Sequence, residues 1–446
     1  MSHDVCNKSG ASPHLMKEFS RYVSLNVLGM IGLSCYILAD TFFISKRLGA
    51  DGLTSLNLAI SVYSVINGIG LMLGVGGATR YAICRAKGEK KAGNQVFTAA
   101  VLAGILAGLL LAAVGVFGAE PLAHILGAEG KIQSMTGSYL RIILCFSPCF
   151  LMNNILIAFV RNDGSPDLSM GAMLAGSFSN ILLDYIFMFP FAWGIAGAAF
   201  ATGLAPVISM AILSVHFIRK KNGFALQKEM EHIVGRVRDI CGLGIYALIN
   251  ELSSAVVLIT FNLLILGLEG NTGVAAYGIV ANLALVAVAV FTGISQGSQP
   301  IISRCYGEGK KSDTRKVLMY ASITSVFVGV LFIAAAFFFT DTLVAVFNGE
   351  GNASLAAIAG RGLRLYFPGF CLAGVNIAAA AYLGAVEQGT KSFLLAFARG
   401  FAAILFFAFL LSRLWGMDGI WLSFPAAETA VILLTLVILR RNSTRS

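Results

Sequence analysis

Four acidic side chains stand inside long apolar runs: Asp40, Asp184, Glu251 and Glu428. A carboxylate at the centre of a membrane span costs about 2.5–3.5 kcal/mol on insertion scales, so each needs a partner or a task. Asp40 follows an apolar stretch that begins at Val23, and so lies several helical turns deep. Asn180 and Asp184, at i and i+4, share one helix face, and Thr202 lies in the next apolar segment after a short connection. If the run holding Asp40 packs against these two, the group offers carboxylate, amide and hydroxyl oxygens. Such oxygens suit a hard monovalent cation or a carboxylate pair sharing one proton, because either relieves the repulsion between neighbouring charges. The plainer alternative is a polar knot that only closes hydrogen bonds between helices.

The composition says what must position these groups. Of the 446 residues, 57% are hydrophobic and 12% charged, where a soluble domain carries about 25% charged residues. With a mean hydropathy of +0.81, the chain has room for about a dozen spans of about 20 apolar residues. The apolar runs are continuous rather than alternating, which predicts helices and excludes a barrel. Spans are expected at 21–45, 54–82, 95–118, 135–160, 168–190, 196–218, 241–267, 274–302, 316–340, 361–385, 392–412 and 419–439. Residues 1–19 lack the apolar core of a secretory signal, so the first span is expected to act as the targeting signal.

The net charge of +10 does not imply nucleic acid, because the basic residues fall in alternate loops. One side holds Arg85, Lys87, Lys90 and Lys91; Arg161; the 219–239 stretch with Arg219, Lys220, Lys221, Lys228, Arg236 and Arg238; Arg304 to Lys316; Lys391; and the tail with Arg440, Arg441 and Arg445. The other side has few: Lys46, Arg47, Lys131 and Arg413. Positive loops stay in the cytoplasm, which places both termini there.

The chain also repeats itself. Without gaps, Gly74, Arg85, Gly88 and Glu89 align with Gly293, Arg304, Gly307 and Glu308, and Trp193 to Gly197 (WGIAG) matches Trp415 to Gly419 (WGMDG). Two six-helix halves follow: an all-α membrane protein with bundles at 1–218 and 240–446, related by an axis along the membrane normal, and a cytoplasmic linker at 219–239. A long charged linker is suited to let the bundles rock about a central cavity.

At these residues the chain resembles the multidrug and toxic compound extrusion (MATE) transporters over essentially its full length, and looks closest to the DinF-like and MepA-like branches. The carriers are Leu38 to Gly49, the loop ending at Gly88 with its partner Gln296 to Gly307, and Asn180 to Asp184 followed by Trp193 to Thr202. The resemblance implies a monomeric efflux antiporter of the plasma membrane that exports amphipathic, often cationic molecules in exchange for H+ or Na+, with no other cofactor. It carries the coupling-cation site onto Asp40, Asn180, Asp184 and Thr202, and cavity-lining positions onto Tyr139, Asn153 and Asn154. Glu251 matches a position where some relatives place a carboxylate. Those relatives often add an acid in the tenth span, where Cys371 to Ala378 has none, so Glu251 is assigned to attracting cationic substrate. Glu428 is assigned to the cavity lining, with pairing to a basic residue such as Arg399 as the alternative. Relatives often carry a proline in the first and seventh spans, near Asn26 and Tyr246 here, so a proline-dependent bend is not assumed.

Other signals fail. Gly307 to Ser312 lacks the first glycine and the preceding strand of a phosphate loop. The eight cysteines are scattered without metal-ligand spacing, and no Ser/His/Asp arrangement converges, so neither a metal centre nor an enzyme is expected. The alternative within transport is a lipid-linked oligosaccharide or lipid flippase of the same superfamily. A non-transporting scaffold or receptor would leave the deep carboxylates without a purpose.

Overall fold

The computed structural model describes residues 13–229, 232–348 and 352–444, and no strand occurs among them. Helices are what the apolar runs demand, since lipid offers no partner to a backbone N–H or C=O. In the first half, α1 is His14–Gly49, α2 Asp51–Ala86, α3 Lys90–Ile125, α5 Pro166–Met188 and α6 Gly194–Ile218; α4 is the pair Gly130–Cys145 and Ser147–Asn162, bent by 49°. In the second half, the helical run Ile233–Gly307 breaks at Gly270 into α7 and α8; α9 is Lys311–Phe338 and α10 Ala353–Ala385. The run Gly389–Arg441 breaks at Gly416 into α11 and α12. These are the twelve expected spans. α1 begins well before the expected start, and the added turns carry Lys17 and Glu18.

The breaks reveal the repeat more sharply than the sequence does. Gly49 has φ 63° and ψ −150° between α1 and α2; Gly270 has φ 61° and ψ −152° between α7 and α8. That region is open to glycine and strained for other residues. Gly194 and Gly416, both directly after a tryptophan, share a positive φ in the same way. The turn after α2 pairs Gly88 N with Arg85 O and Glu89 N with Cys84 O; the turn after α8 pairs Gly309 N with Tyr306 O and Lys310 N with Cys305 O. Gly88 therefore corresponds to Gly309, not to Gly307, and the ungapped alignment is out of register by two residues. Gly-rich helix ends match by chance more readily than turns do.

Cores differ between the halves. The second bundle has one continuous core from Phe261 through Phe370 to Trp421, which runs on into Phe19, Tyr22 and Val75 of the first. The first has two, one around Ile44, Tyr139 and Met188 and one around Tyr81, Phe97 and Phe159.

The closest approaches between the bundles lie on the side that carries the 219–229 segment, hereafter the linker side. There the helices approach backbone to backbone: a Cβ on Gly244 of α7 would collide with the Met72 carbonyl of α2, and one on Gly76 with the Ile240 carbonyl. Gly293 and Gly297 of α8 lie as closely on Val27 and Val23 of α1. Ion pairs lock the rim: Arg304 donates from both Nη atoms to Glu18 at 2.6 Å, and Arg80 pairs with Glu387. The bundles are closed on this side.

The 222–229 part of the linker, expected to let the bundles rock, is docked on the first bundle. Phe224 is 1% exposed, inside a nest of Tyr81, Phe97, Phe159, His216 and Phe217. Gly223 N donates to Asp163 Oδ2 at 2.6 Å, and the same carboxylate takes Tyr81, His216 and Arg85. Thr98 and Asn94 accept from the backbone of Gln227 and Ala225. One buried aromatic outweighs the polar composition on which the expectation rested.

Candidate functional site

The carboxylates expected to do chemistry are buried: Asp40 is 6% exposed and Asp184 0%, with Asn180 at 0%, Thr202 at 5% and Tyr139 at 4%. Their helices, α1, α5, α6 and α4, pack side by side in the first bundle. Oriented to satisfy both neighbours, the Asn180 amide donates to Asp184 Oδ2 at 3.1 Å and accepts from the Thr202 backbone N–H at 3.1 Å. That N–H is held beside it because the short connection makes α5 and α6 antiparallel neighbours. Asp40 and Asp184 interact electrostatically, Tyr139 senses both charges, and its hydroxyl lies beside Thr202.

Two oxygens of the cluster are orphaned. Asp40 Oδ1 and Asp184 Oδ1 are buried with no hydrogen-bond partner among the described residues. Buried polar atoms almost always find a partner, and a carboxylate oxygen is an acceptor when ionised. The arrangement can take a proton or a small cation between two carboxylates, with amide and hydroxyl oxygens close by.

A second polar group crosses the bundle boundary at mid-depth. Glu251 of α7 lies against α2 beside Asn67, whose Oδ1 accepts from Asn154 Nδ2 of α4 at 2.9 Å. Asn153 Oδ1, beside it in sequence, is buried without a partner among the described residues. The hydroxyls of Tyr36 and Tyr63 lie 3.0 Å apart, Tyr63 feels both Asp40 and Glu251, and its ring meets Phe150 edge-on at 5.5 Å. Glu251 and Asn154, each expected at the cavity, thus both lie beside Asn67. A sequence reading that looked for charges missed Asn67; its signal was an amide in the apolar run of the second span.

Glu428 lies elsewhere, inside the second bundle. It is 2% exposed, with Arg399 Nε 2.8 Å from Oε1 and Asn376 Nδ2 donating to Oε2 at 2.8 Å. The geometry is that of a partnered carboxylate, the alternative considered from the sequence.

Arg161 corrects an expectation. Counted above as a loop cation, it is 1% exposed and lies between the bundles. Its Nη1 donates to Asn26 Oδ1 at 2.6 Å and to Gln296 Oε1 at 3.2 Å, while Asn26 Nδ2 donates to the Gly293 carbonyl at 3.0 Å. Tyr246 interacts electrostatically with the same guanidinium. The two positions where relatives often have proline thus meet around Arg161, which the last turn of α4 tucks beneath α1 and α8.

Twelve membrane-crossing helices in two like bundles, closed against each other on one side and holding unpaired carboxylates deep in one of them, have the build of a membrane transporter. The chain belongs to the MatE family, whose model matches residues 26–186 and 247–419. It is 25% identical over 415 residues to the multidrug export protein MepA of Staphylococcus saprophyticus subsp. saprophyticus, covering 92% of this chain and 90% of the relative. The MepA of Staphylococcus aureus is 26% identical over 423 residues, with the same coverage. A solved structure described as the outward-facing conformation of a multidrug resistance MATE family transporter of the MOP superfamily superposes with a TM-score of 0.91 at 20% identity, covering 98% of this chain and 99% of that one. The family resemblance drawn from the motifs is correct, including its MepA-like cast.

Proposed function

We propose that this protein is a cation-coupled exporter of amphipathic, positively charged small molecules, acting as a monomer in the plasma membrane with both termini in the cytoplasm. The observation that carries the reading is the pair of buried, unpartnered oxygens on Asp40 and Asp184. They supply what coupling requires: a site whose affinity for a proton or sodium ion changes with the state of the bundle around it. The basic loops on the linker side support the orientation. The multidrug export function named for the MepA relatives supports the cargo class.

In this reading the closed linker side is the cytoplasmic gate. A cation arriving from outside binds Asp40 and Asp184, with Asn180, Thr202 and Tyr139 as neighbours. Its arrival lowers the repulsion between the two carboxylates and lets α1 settle against α5. The cargo's positive charge rests at Glu251, and Tyr63 and Phe150 offer aromatic surface to its apolar body. Asn67, Asn153 and Asn154 hold its polar groups. Glu428, already paired, contributes to the shape and field of the second bundle rather than contacting cargo.

The test is transport of ethidium in proteoliposomes with a proton gradient and a sodium gradient imposed separately. One of the two gradients should drive uphill movement. Movement only down the ethidium gradient, unchanged by either ion, would overturn the coupling.

A further inference from the structure

The second bundle holds its carboxylate in a different way, and the difference assigns a role to Arg399. Glu428 sits among three helices, α10, α11 and α12, which by the repeat are counterparts of α4, α5 and α6. The turns before α5 and α11 confirm the match: Asp163 N bonds Phe159 O and Ser165 N bonds Val160 O, as Val386 N bonds Tyr382 O and Gln388 N bonds Leu383 O. Around Glu428 stand an amide and a hydroxyl, with Asn376 Nδ2 donating to Glu428 Oε2 at 2.8 Å and to the Glu428 carbonyl at 3.1 Å, and Thr435 Oγ1 donating to Asn376 Oδ1 at 2.9 Å. Carboxylate, amide and hydroxyl are the three chemical classes that Asp184, Asn180 and Thr202 bring together in the first bundle. What the second bundle adds is a cation of its own.

Arg399 lies on a π-helical turn, Ala398–Ala403, whose extra width lets the side chain reach across to α12. Its Nε is 2.8 Å from Glu428 Oε1, yet the N–H is not directed at that oxygen, so charge rather than an aligned hydrogen bond joins them. The side chains are 13% and 2% exposed. The charged and titratable groups facing Glu428 are Arg399 from α11 and Tyr366 from α10, with Tyr277 of α8 behind Tyr366.

We propose that Arg399 is a tethered counter-ion occupying a latent monovalent-cation site formed by Glu428, Asn376 and Thr435. The guanidinium stands where a free sodium-sized ion would otherwise balance the carboxylate. The Glu428 site therefore carries its positive charge through the whole cycle and exchanges no ion. This assignment goes beyond the coupling role proposed for the first bundle and does not depend on it.

The test removes the first site, so that the two assignments fail separately. In an Asp40→Asn, Asp184→Asn background, the melting midpoint of the purified protein is measured in sodium chloride and in choline chloride at equal ionic strength. With Arg399 intact the two salts should give the same midpoint. Adding Arg399→Gln should make the midpoint rise by about a few degrees as sodium increases toward a large excess over its dissociation constant. Arg399→Lys, which keeps the charge, should remain insensitive, and Glu428→Gln should abolish the sodium response of Arg399→Gln. A folded Arg399→Gln protein with equal midpoints in both salts overturns the proposal, as does a sodium response that survives Glu428→Gln. If Arg399→Gln yields folded protein only when purified in sodium, the site is supported. If it folds in neither salt, the pair is merely structural and the proposal falls.

Discussion

Nine residues before Gly49 the first bundle carries Asp40; nine residues before Gly270 the second carries Phe261, 0% exposed and packed on Tyr277. Eight residues after Gly194 stands Thr202; eight after Gly416 stands Phe424, stacked on Tyr366 with ring centroids 4.3 Å apart. At these matched positions one bundle holds ligand oxygens and the other aromatic packing. The second bundle's carboxylate stands one turn further along, beside an arginine. The duplicated scaffold thus differs between its halves, with unpartnered carboxylate oxygens in the first and a counter-charged carboxylate amid aromatic packing in the second. The teaching is that a buried carboxylate implies exchange only where the fold withholds a fixed counter-charge.

The comparison breaks first at the first bundle. Asp40→Asn and Asp184→Asn should each cut gradient-driven efflux at least about 100-fold, because a cation that no longer distinguishes two conformations moves neither. Both proteins should keep the parent's unfolding midpoint within a few degrees. Undiminished efflux in either variant would remove that carboxylate from the coupling site. In the second bundle the larger effect should fall on stability. Glu428→Ala strands Arg399 in a buried site and should cost about 3–5 kcal/mol, whereas Arg399→Met with Glu428→Leu should recover most of that loss. Equilibrium unfolding in detergent measures both, and a double variant no more stable than Glu428→Ala would show that the pair is not acting as two opposed charges. The finest probe is Tyr139→Phe, which removes one hydroxyl from beside Thr202 and the two carboxylates. A loss of about 0.5–1.5 kcal/mol weakens apparent cation affinity by about two- to tenfold. It should raise the half-saturating ion concentration in transport and leave the maximal rate nearly unchanged; an unaltered ion dependence would place Tyr139 outside the pocket.

How far the sequence carried this picture follows from what kind of signal each feature leaves. Twelve spans and two halves were legible because apolar runs and charged loops are local. The approach of Asn180, Asp184 and Thr202 was legible because i, i+4 spacing and a short connection leave few ways to pack α5 and α6, whereas Asp40 was joined to them only through the family resemblance. Arg161 was not: it lies at a span's end, where lipid-facing, loop and buried arginines look alike, and only the approach of α1 and α8 decides among them. The docked linker was hidden because Phe224 is a single aromatic amid lysines and glycines. Asn67 was hidden because an uncharged amide in a span is common, and its importance comes from Glu251 across the bundle boundary. The register of the repeat was set two residues wrong because helix sequence is interchangeable, whereas a glycine at positive φ is not.

The glycine seam on the linker side has an electrical consequence. Where Gly76 and Gly244 let backbone touch backbone, no side chain holds the helices apart. A membrane at about 100 mV offers about 2.3 kcal/mol to every elementary charge that slips through. The shortest side chain in the repertoire is, at this joint, the insulation that keeps such a voltage from discharging through the protein.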